Sequence, residues 1–379
     1  MDFDLNSEQK MLRAAIREFA QKELEPKALE IDNKGEFPHE LARKMADLGL
    51  LGIVIPERYG GSNMGHVARL VGIEEVSKAY PSMGLFLQAT PLGLWTILLF
   101  GNEAQKLKYI PPVVEGQKIM CMAVTEPTGG CELSAIKTSA RHEDTEYVIN
   151  GNKCFITNGS FADICVFLAR TGNEKKSLST FVVEKGTPGF TAGAREKHMG
   201  FRSLEISELF FEDCRIPEEN LIGKEGEGLK AALTAISEIG RIGNAGVTLG
   251  IAEAAHQYSL KFAVQRELYG KPIFQLGEIQ AMLADMDVEI EAAKWLAYYA
   301  AWLLDCGKRG GEIKKEIARA KLFTAEVARR TALKAVQIRG AYGTLKESKA
   351  VNLLLDSLET IAAAGTSEIM RVIIGQNLR

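Results

Sequence analysis

The sequence predicts a mainly α protein with a central β domain, and three observations carry that prediction. Apolar residues recur at helical spacing through the first third. Strand-like runs and turn dipeptides replace them from about Cys121, and Ala-rich amphipathic runs return after Pro217 and last to the end. At 379 residues the chain suits two or three domains sharing buried surface. The changes of period divide it into an N-terminal helical domain over 1–118, a middle β domain over 119–226 and a C-terminal helical domain over 227–379.

Each part has its own signals. Asn6 with Gln9 three residues on is the pattern of a capping box, and Leu12, Ile16 and Phe19 follow at spacings of four and three. Leu41, Met45 and Leu48 repeat the stripe, LGIVIPERYGG closes it with turn residues, and a further helix is expected from His66 to Ala79. TEYVINGNKCFITNG sets two β-prone runs on either side of an Asn150-Gly151 turn. ICVFLA, STFVVEK and SELFFED read as further strands between Gly, Pro and Asn clusters. Past IGKEGEG, runs such as IEAAKWLAYYAAWLL and EIARAKLFTAEVARR are amphipathic helices.

Composition narrows the function. Charged residues at 25% and apolar ones at 46% are the balance of a globular protein, and a net charge of -3 gives no reason to invoke nucleic acid. The start, MDFDLNSEQK, has acids where a secretory signal carries bases, so a cytoplasmic protein without a membrane span is expected. Six cysteines are scattered without a CxxC pair, which suggests buried reduced thiols and neither a zinc site nor a disulfide framework.

Several segments could carry chemistry. In VTEPTGGCELSAIKT a Pro followed by two glycines lets the backbone approach a ligand, and successive N–H groups there can hold an anion such as a pyrophosphate; a plain surface turn has the same look. In CFITNG, Phe155 precedes Thr157 by two residues, a pair that can lay a ring against a flat cofactor and offer it a hydroxyl, although a lone Phe is also ordinary core. Arg266 and Tyr269 in QRELYGKPI fall on one helical face before a Gly-Lys-Pro stop, where a solvated arginine is the plainer account. QIRGAYG and AAAGTSEIMRVIIG are small-residue turns beside polar groups.

Taken together and in order, TEPTGG, FITNG, FEDCRIPEENLIG, QRELYGKPI, LADM, QIRGAYG and GTSEIMRVIIG resemble the acyl-CoA dehydrogenase family over essentially the whole chain. The resemblance implies a middle β-barrel or sandwich between helical domains, the last a four-helix bundle, and a homotetramer. It also implies FAD, an acyl-CoA substrate whose hydride goes to the flavin, and an electron-transfer flavoprotein that takes the electrons. By motif, Val124 and Thr125 would contact the flavin edge, Gly130 and Cys131 would lie near the phosphates, and Phe155 and Thr157 would flank the ring. Arg266, Tyr269, Gln337 and Gly340 would serve a neighbouring subunit's FAD, with Thr366 and Glu368 reaching toward the adenosine portion. Glu238 and Arg241 match positions lining the CoA or thioester pocket, with Ala364 on its wall.

One departure stands out. The family's usual base is a Glu before the Gly-Thr near the C-terminus, and here that residue is Ala364; the minority position, before the arginine matched by Arg241, is Gly240. A methyl group accepts no proton, and a placed base contributes about 10²–10⁴ in rate. Three explanations are open at this point: a base relocated for a cyclic or otherwise unusual acyl group, as in the alicyclic acyl-CoA branch; a Glu→Ala knock-out of an ordinary enzyme; or a non-dehydrogenating, desulfinase-like relative.

Overall fold

The computed structural model describes residues 4–174 and 177–378. Seven helices come first: α1 (Ser7–Phe19), α2 (Glu25–Lys34), α3 (His39–Asp47), α4 (Gly65–Ala79), α5 (Pro81–Ala89), α6 (Pro91–Phe100) and α7 (Glu103–Val114). The expected capping box at Asn6 and Gln9 opens α1, with each side chain bonded to the other's backbone N–H. Leu41 and Met45 are buried as the stripe requires, but Leu48 is exposed, because α3 ends at Asp47 and Leu48 has left the helical face.

The run from Pro81 to Phe100 has a mean hydropathy of 1.6 and the length of a membrane span. In the structure it is broken at Thr90-Pro91 into α5 and α6, and most of it lies inside the protein. It shares two cores. Met83, Leu85, Phe86 and Leu87 pack with α4 and with the C-terminal helices, while Leu94, Trp95 and Ile97 pack against the sheet. The helical ends of the chain therefore form one body around α4 and α5.

The middle segment carries β1 (Met120–Ala123), β2 (Ser139–Glu143), β3 (Glu146–Thr157), β4 (Ile164–Arg170), β5 (Leu178–Glu184), β6 (Phe190–Arg195), β7 (Ile206–Pro217) and β8 (Leu221–Ile222). They form one sheet in the order β6-β7-β3-β2-β4-β5-β8, with β1 parallel to β4. Asn150-Gly151 is not the expected hairpin turn. β3 runs straight through it with a register shift against β7, and the chain reverses instead at Asp144-Thr145, between the paired residues Glu143 and Glu146. Asp144 takes the left-handed turn conformation at φ 53°, and Gly151 becomes a bulge residue at φ 146°, pressed against Thr138 where any β-carbon would clash.

The last third contains α8 (Gly228–Ala235), α9 (Ile242–Gln265), a two-stranded hairpin of β9 (Glu267–Leu268) and β10 (Lys271–Pro272), then α10 (Gly277–Asp305), α11 (Lys314–Arg339), α12 (Lys349–Thr360) and α13 (Ser367–Gln376). Between α8 and α9 the helix widens into a π-turn over Ile236–Arg241. Such one-turn widenings concentrate at functional sites, and this one holds Glu238, Gly240 and Arg241.

Candidate active site

The β side of the site begins where β1 ends. Thr125 O accepts the Cys154 N–H at 2.9 Å, which ties TEPTGG to the end of β3. Beneath it, fully buried Lys153 donates from Nζ to Glu126 Oε1 at 2.8 Å, and Glu126 also accepts the N–H groups of Lys137 and Thr138 at 2.6 and 3.0 Å. Burial opposes ionisation of Glu126, yet Lys153 and those donors carry its carboxyl below the ordinary carboxylate range. The loop is thus held rigid from below. A β-carbon on Gly130 would stand 3.2 Å from Thr125 Cγ2, so the backbone stays bare there, and Cys131 is exposed beside it.

Phe155 sits in a second β3 bulge, between Lys153 and Ile156, at φ 57° and 69% exposed. A large aromatic held in the left-handed region and turned outward costs both strain and exposure. Thr157 pairs with Ile206 two residues on. Fully buried Asn158 donates to Thr90 Oγ1 at 3.1 Å, fastening this strand end to the α5–α6 junction.

Across that junction lies the wall that the sequence singles out. A β-carbon built on Gly240 would be 3.5 Å from Ala364 Cβ, 3.3 Å from Leu92 Cδ2 and 3.6 Å from Gln88 Nε2. Both family base positions therefore converge on one point, and none of the three side chains nearest to it is acidic. Ala364 adopts φ 56° and Gly365 φ 105°, and Arg241 Nε donates to Ala364 O at 3.2 Å. Lys321 Nζ holds Ile361 O at 2.8 Å from the other side. Burial lowers both cations, Arg241 to about 10 and Lys321 to about 8, with Arg241 adding repulsion to Lys321.

Glu238, on the same π-turn, accepts the Trp95 Nε1–H at 3.1 Å and faces Arg309 at 3.6 Å; burial raises its carboxyl above the usual range. Two residues that sequence reasoning passed over complete this wall. Arg69 on α4 donates to Ile239 O, Leu87 O and Gln88 O, and Gln88 donates to Gly240 O at 3.1 Å. Their only sequence signal is a lone polar residue inside a long apolar run.

The remaining expected positions lie on the β9–β10 hairpin, the end of α11 and the start of α13. Arg266 and Tyr269 do not share a helical face: α9 stops at Gln265, Arg266 is already extended, and Tyr269-Gly270 is the two-residue turn of the β9–β10 hairpin. Both turn residues have positive φ, 54° and 74°, which suits a tight hairpin and breaks the helix earlier than Gly-Lys-Pro suggests. Tyr269 is 90% exposed, Arg266 lies 6.0 Å over the Tyr342 ring, and Gln337 and Gly340 fall at the end of α11. Thr366 caps α13 by accepting the Ile369 N–H, and Glu368 is exposed on its first turn.

The fold, a middle β-sheet between two sets of helices, is that of an acyl-CoA-oxidising flavoprotein class. Family models for the N-terminal, middle and C-terminal domains of acyl-CoA dehydrogenase match residues 6–117, 121–214 and 226–379. An acyl-CoA dehydrogenase of Bacillus subtilis (strain 168) is 41% identical over 99% of this chain and 98% of its own, and a cyclohex-1-ene-1-carbonyl-CoA dehydrogenase of Syntrophus aciditrophicus is 41% identical over 99% and 91%. Among solved structures, butyryl-CoA dehydrogenase of Megasphaera elsdenii superposes with a TM-score of 0.96 at 37% identity over the whole of both chains. A glutaryl-CoA dehydrogenase of Mycobacterium smegmatis in complex with FADH2 gives 0.93 at 26% identity, covering 99% of this chain and 95% of its own. The chain belongs to the acyl-CoA dehydrogenase family, and its cofactor is FAD.

Proposed function

We propose that this protein dehydrogenates an acyl-CoA thioester of unusual shape, with FAD seated against Phe155 and Thr157 and its phosphates over the loop from Thr125 to Cys131. The carrying observation is the convergence of Gly240 and Ala364. Two positions that supply a carboxylate in relatives face each other here, with the β-position of Gly240 3.5 Å from Ala364 Cβ, and neither residue carries an acid.

The bound flavin supplies the hydride acceptor. The chain's own groups do the positioning: Arg241 fixes the peptide at Ala364, Lys321 fixes Ile361, Gln88 and Leu92 bound the acyl group, and Val124 and Thr125 close the opposite side. Glu238 is engaged by Trp95 and Arg309, so we assign it to the pocket wall and not to proton abstraction. A relocated base serves a substrate whose acidic proton is not at the common carbon.

The exposed Arg266–Tyr269 hairpin, with Gln337 and Gly340, fits a homotetramer in which it covers a neighbour's FAD, where Thr366 and Glu368 also reach. An electron-transfer flavoprotein is the proposed electron acceptor. All six cysteines are free thiols, which suits the reducing cytoplasm.

The test is anaerobic addition of linear, branched and cyclic acyl-CoAs to the yellow protein. Bleaching of the flavin band is expected with a branched or cyclic thioester and only a trace with linear ones. Absence of bleaching with every thioester would refute dehydrogenation.

A further inference from the structure

The charges of α4 fall into two groups. Toward its C-terminal end the acids are matched: Glu75 pairs with Arg17 at 2.8 Å and Lys78 at 3.1 Å, and Glu74 with Lys78 at 3.3 Å and Lys294 at 3.4 Å. Arg69, 2% exposed on the same helix, bonds to main-chain carbonyls and, among the described residues, to no carboxylate. Burial alone pushes it down to about 9. A buried guanidinium without a counter-charge is costly, and the fold that balances Glu74 and Glu75 so fully leaves this one uncompensated.

Its position tells what it waits for. The β-position of Gly243 lies 2.9 Å from Arg69 Nη2 and 2.6 Å from Gln88 Cγ, so the guanidinium and the stem of Gln88 both pack against that point of α9. Gln88 in turn faces Gly240 and Ala364, so Arg69 stands one side chain behind the acyl pocket. Of its five N–H donors the carbonyls take three, and the Gln88 amide gives one of its two to Gly240 O, so both retain donors for an incoming acceptor. A second observation lies one turn back on α4. His66, 3% exposed and edge-on to Trp95, has no partner for Nδ1. An aliphatic acyl tail needs none of these groups.

Resting on the acyl-CoA reading above, we infer that the acyl group carries a second carboxylate at its far end, and that Arg69, with Gln88, is the specificity-determining residue that binds it. The substrate class is thus a carboxyacyl-CoA, the monothioester of a dicarboxylic acid.

The experiment is anaerobic equilibrium binding to the FAD-loaded protein, comparing unsubstituted acyl-CoAs with their ω-carboxylated counterparts at matched chain lengths. A charge-assisted hydrogen bond predicts a preference of about 10–100-fold for the best carboxylated member. Arg69→Met is expected to abolish that preference and Arg69→Lys to keep part of it. Removing a lone buried cation leaves folding intact, as FAD absorbance and thermal melting will show, and the Lys variant gives the same reading should the Met variant not fold. A parent that favours unsubstituted thioesters at every length, or a preference that survives in Arg69→Met, overturns the inference. If unsubstituted or cyclic thioesters bind and bleach the flavin while carboxylated ones are refused, only this inference fails. If no acyl-CoA binds at all, the acyl-CoA reading falls with it.

Discussion

Replacing Ala364 by glutamate tests whether the pocket is conventional apart from its missing base. Ala364 already carries a β-carbon at φ 56°, so a longer side chain adds no new backbone strain, and the Arg241 bond to its carbonyl keeps Cα where it is. Gly240 opposite has no side chain, and the point where its β-carbon would sit is 3.5 Å from Ala364 Cβ, so the new carboxylate starts from the same wall as the second family base position. Arg241 and Lys321 nearby favour its ionised form. A placed general base contributes about 10²–10⁴ in rate, or about 3–5 kcal/mol of barrier. Stopped-flow flavin reduction with a saturated linear acyl-CoA should therefore rise by that factor in Ala364→Glu over the parent. A variant that keeps its FAD and its melting temperature yet reduces no faster would refute the placement of Ala364 against the reacting carbons.

Three further measurements probe the frame of the site. Lys153→Met strands Glu126 in the interior without its counter-charge; chemical denaturation should show a loss of about 3–5 kcal/mol together with weaker FAD retention, and an unchanged midpoint would mean the pair is dispensable. His66 is held neutral by burial, followed by repulsion from Arg69 and Arg309, down to about 3, whereas the unfolded chain protonates near 6.5. Between those values the unfolded state binds the extra proton, so stability falls on acidification by about 1.4 kcal/mol per pH unit from this residue, and His66→Phe should flatten the urea-derived slope by that amount. Gly243→Ala drives a methyl to 2.6 Å from Gln88 Cγ and should cost about 1–3 kcal/mol, while Gly277→Ala at the start of α10, with open space around it, should be neutral or stabilising; equal effects would mean the Gly243 contact is not tight.

Much of this was legible in the sequence because the signals were local. The capping box at Asn6, the helix at His66–Ala79, the strands ICVFLA, STFVVEK and SELFFED, and the long Ala-rich helices depend on period and turn chemistry, and the structure has them. The errors arose where tertiary pairing overrode a local motif. Asn150-Gly151 is a strong hairpin signal, but β7 pairs along both sides of it and turns it into a bulge, while Asp144-Thr145 supplies the reversal. The Arg266–Tyr269 segment follows a long helix, yet Tyr269-Gly270 folds back on itself as a hairpin. Arg69 and Gln88 could not have been assigned at all. α4 and α5 are buried on every side, so no amphipathic stripe shows which way a polar residue points, and only the packed structure sets both against Gly243.

The acid missing from the sequence at Ala364 and the buried Arg69 that only the structure reveals are linked through Gln88, which packs against Arg69 beside Gly243 and faces Gly240. The fold sets buried Arg241 and Lys321 against the Ala364 segment and buried Arg69 behind Gln88, and the acid on the adjoining π-turn, Glu238, is taken up by Trp95 and Arg309. A carboxylate at Ala364 or Gly240 would balance that charge in the free protein, but it would then repel a carboxylate on the acyl group across a low-dielectric gap, where like charges are costly. Loss of the usual base and retention of an unpaired arginine are thus two consequences of accepting the same anion. It follows that Ala364→Glu, while accelerating linear substrates, should weaken binding of ω-carboxylated acyl-CoAs relative to unsubstituted ones, and equal affinities for the carboxylated series in parent and variant would separate the two anomalies again.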